Sequence, residues 1–324
     1  MLSAIGRIVM PIVSVIMPVY NEKEYMIQEA IDSVIRQTFT NWELIIVCDN
    51  IYDDGLKQFL LRISDQRIRI LFNEQNLGSA LSRNEGIKIA SGKYIAFLDA
   101  DDICMPDRIE AELKYLEEKR CDMICGGRHL IDEQGNIIKP FESEMTEQRL
   151  LAYLPYINYV YNSTVLIEKR VLDNLGGYRD YPGGHDYELW MRVRKAGYKI
   201  GYLDKDVLGY RIRSNSITGN NAYLQTIDCA YIRRLYKKNK LCDSYNEQTY
   251  KNYVKRFLKR KDQAVHNFNR SIQKRKNFAE RIEKGKYISA LCEYIGAILG
   301  SRIYRLNIYN SIRFKLFLLR NRGL

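Results

Sequence analysis

Between residues 12 and 126, short apolar runs alternate with stretches of helical spacing. Val13–Val19, Glu43–Val47, Arg67–Phe72 and Lys93–Leu98 are rich in β-branched and aromatic residues and read as strands. Between them, Glu24–Gln37 sets Ile27, Ile31, Val34 and Ile35 on one helical face. Gly55–Ser64 reads as a helix, as does Gly78–Ala90 with Leu81, Ile87 and Ala90 inward. Pro106–Lys119 carries Ile109, Leu113 and Leu116 in phase. Strands alternating with helices of this length predict βαβ units, a mainly parallel sheet flanked by helices. Ligands of such sheets bind beyond the carboxyl ends of the strands. Three polar segments stand at those ends: Pro18-Val-Tyr-Asn21, Asp49 and Asp99-Ala-Asp101. From 122 to 215 the pattern is mixed. Gly126-Gly127 and Asp132–Gly135 predict turns, Ser163–Ile167 a strand and Asp186–Lys195 a helix. Residues 220–324 hold no proline and read as mostly helical.

A hydrophobic content of 46% over 324 residues permits a sizeable core, in one large domain or two smaller ones. Seven cysteines form no Cys-x-x-Cys pair, which predicts free thiols in a reducing compartment rather than a zinc site or a disulfide framework. Three histidines argue against a His-rich metal centre. The apolar stretch Leu2–Tyr20 is broken by Arg7, Pro11 and Pro18 and shows no small-residue cleavage site, so a strand over Val13–Met17 is expected there rather than a signal peptide, and a cytoplasmic protein. Charge is divided unevenly. Tyr231–Leu324 holds 24 basic and 6 acidic residues, a net of +18; the total of 51 basic and 39 acidic leaves −6 for the first 230 residues.

The candidate chemistry starts at Asp99-Ala-Asp101-Asp102. An apolar strand stops abruptly in carboxylates that repel one another unless something positive sits there. Hard carboxylate oxygens suit Mg²⁺ or Mn²⁺, ions that keep several waters and take other ligands from substrate phosphates. The competing reading is a helix cap for the segment starting near Pro106, for which one Asp would suffice. Pro18 ends strand pairing, and Tyr20 there can stack on a base. Asp49 can accept a ring N–H or cap a turn. Arg83 offers a planar fork to a base or phosphate, and Gly78 and Gly86 allow close backbone approach. Neither a Walker loop nor a dinucleotide Gly-x-Gly-x-x-Gly is present. Asp186 opens a predicted helix after Gly183-Gly184, either as a general base or as a carboxylate favoured by the helix dipole.

Taken together these segments resemble glycosyltransferase family 2, the inverting transferases with the A-type nucleotide-sugar fold. The resemblance covers residues 12–215. It is carried by Val13-Ser-Val-Ile-Met-Pro-Val-Tyr-Asn21, Gln37-Thr-Phe39 with Trp42-Glu43-Leu44, Leu77-Gly78 with Arg83-Asn84-Glu-Gly86, Ala90–Asp102 and His185-Asp-Tyr-Glu-Leu-Trp190. It implies a catalytic domain over 1–220, with a nucleotide-sugar half (12–126) and an acceptor half (127–220), followed by a basic helical region over 221–324. It implies that Pro18, Tyr20 and Glu22 line the nucleoside pocket, that Asp49 binds a uracil-like base and that Arg83, Asp99 and Ala100 hold the nucleotide sugar. Asp101 of the Asp-x-Asp motif would ligate Mn²⁺ or Mg²⁺ on the diphosphate, and Asp186 would deprotonate the acceptor hydroxyl. The donor implied is a UDP-sugar, the transferred group a hexose or N-acetylhexosamine, the acceptor a saccharide or lipid-linked saccharide, and the setting polysaccharide assembly. Three positions depart from the pattern: Cys48 stands where the family often has an acid, His185 precedes Asp186 where Glu is common, and Arg213 stands where a His is frequent.

The basic region interleaves cations with apolar residues, as in Lys251–Lys261 and Ile312–Arg320, and Tyr287–Ile298 is apolar but shorter than the roughly 20 residues a bilayer span needs. Such helices suit an anionic membrane surface, which predicts a peripheral position at the inner face of the cell membrane. A solvated bundle or an oligomer contact would use the same pattern. Nucleic acid fits the charge but no nucleic-acid motif accompanies it. Two other functions remain open on residues alone: a nucleotidyltransferase, which would need a glycine-rich basic loop in place of Val19-Tyr-Asn-Glu22, and a non-enzymatic scaffold led by the tail.

Overall fold

A computed structural model of the chain describes residues 10–143, 145–213, 221–243 and 245–321. The Leu2–Val9 part of the N-terminal apolar stretch and the Ser214–Ser216 part of the segment after Arg213 lie outside the described residues. The chain forms two compact units: Met1–Leu150, Val160–Asp180 and Arg192–Arg213 make the first, and Leu151–Tyr159, Tyr181–Met191 and Ser214–Leu324 the second.

In the first unit β1 (Val13–Val19), β2 (Trp42–Cys48), β3 (Ile68–Phe72) and β4 (Tyr94–Phe97) alternate with α1 (Glu24–Ile35), α2 (Asp54–Leu61) and α3 (Ser79–Ile89). β1 pairs in parallel with β2 and β4, and β2 with β3, as the alternation predicts. Further along the chain come β5 (Ile103–Cys104), α4 (Arg108–Lys119), β6 (Met123–Ile131), β7 (Ile137–Lys139), α5 (Glu147–Tyr153), β8 (Val165–Glu168), α6 (Lys169–Leu175), α7 (His185–Lys195) and β9 (Ile200–Arg211), with unit boundaries falling within α5 and α7. The sheet order is β3-β2-β1-β4-β8-β6-β9-β5, with β7 on β6. β8 runs antiparallel to both β4 and β6, so beyond β4 the sheet becomes mixed rather than parallel.

β1 is buried on both sides, which is why its sequence is a continuous apolar run. Val13, Val15, Met17 and Val19 share a core with Ile27, Ala30, Ile31 and Val34 of α1. On the other face α3 comes so close that a Cβ on Gly86 would lie 2.7 Å from Ile16. Gly86 therefore serves helix–sheet contact. The start of β4 is clasped by Glu43, which accepts from Ser14 Oγ (2.6 Å), Ser91 N (2.7 Å) and Arg69 Nη1 (3.0 Å). Burial alone would raise this carboxyl, but those hydrogen bonds hold it below its ordinary range.

Gly126-Gly127 forms no turn. It lies inside β6, where the β6–β9 register shifts. A Cβ would fall 2.6 Å from Val207 at Gly126 and 2.0 Å from Phe141 at Gly127, so these glycines admit a bulge and close neighbours. Asp132–Gly135 is the expected turn, with Asn136 N donating to Asp132 Oδ1. The strand expected over Ser163–Ile167 starts at Val165, after a 3₁₀ turn over Asn162–Thr164.

The second unit is built mainly from α8 (Ala222–Lys237), α9 (Glu247–Lys255), α10 (Lys261–Glu283), α11 (Tyr287–Gly300) and α12 (Arg302–Arg320). Tyr223, Ile227, Phe268, Ala297, Ile303 and Tyr304 form its apolar core. A second cluster joins Tyr181, Tyr231 and Tyr250, with ring centroids 4.9 to 6.3 Å apart. Among the described residues no helix is long and apolar enough to cross a membrane.

Candidate active site

The carboxyl ends of β2, β1 and β4 lie side by side, since Val19 is level with Cys48 and Ile16 with Phe97. This brings Pro18, Tyr20, Glu22, Asp49, Asp99, Ala100 and Asp101 to one edge of the sheet. Tyr20 is 41% exposed, open to a stacking partner, and its N–H donates to Glu22 Oε2 at 2.8 Å. Asp49 is buried. Its Oδ1 accepts from Asn73 Nδ2 (2.7 Å) and Leu77 N (2.8 Å), and its Oδ2 from Gly78 N (2.8 Å). It thus fastens the loop that enters α3, where Gly78 takes a φ of 79° that favours glycine.

From α3, Arg83 reaches the acid cluster. It is buried, and its Nη2 donates to Asp99 Oδ1. Beside it, the Asn84 side chain donates to Tyr178 O and accepts from Tyr178 N, both at 2.8 Å, so the Arg-Asn pair couples the acids to residues beyond β8.

None of the acids caps the following helix. That helix starts at Arg108, and its Ile109 N–H donates to Gln37 Oε1 at 3.1 Å. Gln37 Nε2 also donates to Met105 O at 2.7 Å, which gives the Gln37-Thr38 motif its purpose. Instead Asp99 pairs with Arg83 and Asp101 with Arg213, while Asp102 is held by a backbone N–H, and the Arg211 guanidinium pairs with Glu29. Arg211 is fully buried; its backbone N donates to Asp102 Oδ1 (3.0 Å) and its Nε to Asp101 O (2.7 Å). Arg213 lies 2.6 Å from Asp101 Oδ2 and 3.6 Å from Glu22 Oε1, in both cases as an ion pair. Arg108, inside α4, donates to Phe97 O and Val165 O at 3.2 Å and so steadies the strand end that carries the acids. These roles of Arg108, Arg211 and Arg213 are not evident from the motifs. The available signals are the place of Arg213 where the family often has a His, and the alternation Arg211-Ile-Arg213 at the end of β9, with Ile212 exposed between them.

Burial pushes the Asp101 carboxyl up to about 6, aided by Asp99 and Glu22 and opposed by Arg213. Asp102 is driven well above the ordinary range by full burial, with Asp101 and Asp99 adding to it. Tyr210 is raised for the same reasons, and its ring stacks with Arg128, whose guanidinium also lies 3.7 Å from the Tyr161 centroid.

As a metal site this edge has one strong donor. Asp101 presents a hard carboxylate with one oxygen on Arg213, while Asp99 is engaged by Arg83. Among the described residues no group of three His, Cys, Asp or Glu converges. The donor set suits an ion held by a single protein carboxylate, with water and phosphate oxygens as its remaining ligands.

Asp186 is carried by the second unit, at the start of α7, where Asn158 Nδ2 donates to its Oδ2 at 3.0 Å. The turn before it is pinned by buried Asp228, which accepts from Gly183 N (2.8 Å) and Tyr250 Oη (2.7 Å). A Cβ on Gly183 would fall 2.4 Å from Gln225 N, so only glycine fits against α8. Leu189 and Trp190 are core residues.

Residues 14–176 match Glycosyl transferase family 2. The uncharacterized glycosyltransferase MJ1057 of Methanocaldococcus jannaschii is 33% identical over 240 residues, covering 73% of this chain and 83% of its own length. The Escherichia coli UDP-Glc:alpha-D-GlcNAc-diphosphoundecaprenol beta-1,3-glucosyltransferase WfgD is 32% identical over 218 residues, covering 64% of this chain and 80% of its own. Among solved structures, Staphylococcus aureus TarS 1-349 in complex with UDP-GlcNAc superposes with a TM-score of 0.58 at 22% identity, covering 88% of this chain and 81% of that one, a likeness of fold.

Proposed function

Because the chain belongs to glycosyl transferase family 2, we propose that it transfers a hexose or N-acetylhexosamine from a UDP-sugar, with inversion, to a hydroxyl of a lipid-linked saccharide in cell-surface polysaccharide assembly. Family membership decides against the nucleotidyltransferase and scaffold alternatives. The observation that carries the reading is the acid cluster at the carboxyl edge of three adjacent strands, with Arg83 on Asp99 and Arg213 on Asp101. The acceptor class is drawn from WfgD, whose name specifies a diphosphoundecaprenol-linked sugar.

In this reading Tyr20 stacks on the base, and the remaining acceptor capacity of Asp49 Oδ2 takes a base N–H. Arg83 holds Asp99 in place for the ribose side of the donor. Asp101 is the residue that would hold Mn²⁺ or Mg²⁺, and such an ion would offset charge on the leaving diphosphate. Arg213 supplies a second, fixed cation at the same carboxylate and suits a phosphate oxygen. Asp186 takes the proton of the acceptor hydroxyl as general base.

A thermal-shift screen of nucleotide sugars with and without Mn²⁺ tests the donor class. One UDP-sugar is expected to raise the unfolding midpoint, and Mn²⁺ to enlarge that rise. If no nucleotide sugar moved the midpoint under either condition, the assignment would fail.

A further inference from the structure

Helix α11 turns an apolar row outward. Ile288 is 85% exposed, Leu291 55%, Ile295 47% and Leu299 71%. Steps of three and four residues place these side chains along one line of the helix. The opposite line carries the buried Ala290 and Ala297, the latter in the bundle core. The single charge within Tyr287–Gly300 is Glu293, neutralised by Arg281 at 3.0 Å. Cations sit just outside the row: Lys284 and Lys286 before it, Arg302 and Arg305 after it, all exposed. α12 repeats the arrangement with exposed Tyr309, Ile312, Leu316 and Leu319 on a helix that also exposes Lys315 and Arg320. Rows of this kind are not left bare in water without a partner.

Charge selects the partner. The segment Tyr231–Leu324 carries a net +18, so a second copy of the chain would bring cation against cation. An anionic lipid surface supplies the opposite sign and, just beneath it, an apolar layer for the outward row. The 14 residues of α11 span about 21 Å at the usual rise, short of the roughly 30 Å hydrocarbon core, so the helix suits the plane of the interface rather than a crossing.

We propose that the outward face of α11, framed by the cations of the helical unit, is a docking surface for anionic membrane lipid. The proposal goes beyond the transfer reaction and needs neither its donor nor its acceptor. Flotation of the full chain with phosphatidylcholine vesicles containing about 30% phosphatidylglycerol, beside phosphatidylcholine alone, tests it. Binding to the anionic vesicles is expected to exceed that to the neutral ones about tenfold, and most of it to be lost as salt rises from about 0.1 to about 0.5 M. The triple variant Ile288→Ser, Leu291→Ser, Ile295→Ser is expected to bind about tenfold less with unchanged far-ultraviolet dichroism. A Leu299→Trp reporter is expected to blue-shift on the anionic vesicles only, which keeps the test alive should the triple variant unfold. Absent or equal binding to the two vesicle types, or a folded triple variant that floats like the parent, would overturn the proposal. So would light scattering that shows a dimer dissolved by the triple variant without lipid, since the row would then belong to a second copy.

Discussion

At the residue scale, the site is a balance of like charges held by arginines. Asp101 and Arg213 are one ion pair, so their substitutions should not add. Asp101→Asn is expected to lower transfer about 10³-fold while leaving the unfolding midpoint level or higher, because a buried carboxylate that resists ionisation is replaced by a neutral amide. Arg213→Ala alone is expected to weaken UDP binding about tenfold, and the double variant to bind no worse than the poorer single one. Calorimetric titration with UDP checks both; full additivity would mean that the pair does not act as a unit. Asp99-Ala-Asp101-Asp102 is visible in the sequence because three carboxylates after an apolar run have few other uses. Its counter-ions are not, because Arg83 comes from the preceding helix and Arg213 from the end of β9, about 110 residues away.

At the scale of elements, helix–sheet contact sets where the site residues point. α3 carries Arg83 and lies against β1 and β2 through Gly86. Gly86→Val is expected to cost about 2–3 kcal/mol in urea unfolding, because its Cβ would meet Ile16 at 2.7 Å and a β-branched side chain has little room to turn. An unchanged midpoint would show that α3 can move away freely. The strands and helices of residues 12–119 were legible because each buries a regular face with period two or 3.6. The Gly126-Gly127 pair was misread as a turn because glycine marks a turn and a bulge alike, and only the partner strand β9 distinguishes the two.

At the scale of the whole molecule, the buried acids tie stability to pH. Glu112 is fully buried beside Arg108, and burial pushes its carboxyl up to about 7, the arginine pulling the other way. Asp102 is raised as well. The folded chain therefore binds more protons than the unfolded one between the ordinary carboxylate range and about pH 7, so stability falls as pH rises through that window and levels off above it. Urea midpoints for the ligand-free protein are expected to be higher near pH 5.5 than near pH 7.5, and Glu112→Gln to flatten that slope. A parent slope of the opposite sign would refute the assignment. The uneven charge of the chain is likewise a property of the whole: net acidic over the first 230 residues, net basic over the region that contains α11 and α12.

Order along the chain was sufficient to establish the alternating α/β pattern, the carboxylates at the strand tips and the basic helical remainder, because these depend on local periodicity and on residue type. Only the folded chain decided that Asp49 fastens the loop into α3, that the acids are not spent on a helix cap, that arginines distant in sequence neutralise them, and that the apolar residues of α11 face out rather than in. The physical reason is the same in each case. Hydrogen bonds, ion pairs and burial join groups that are close in space, and spacing along the chain does not specify which distant groups those are.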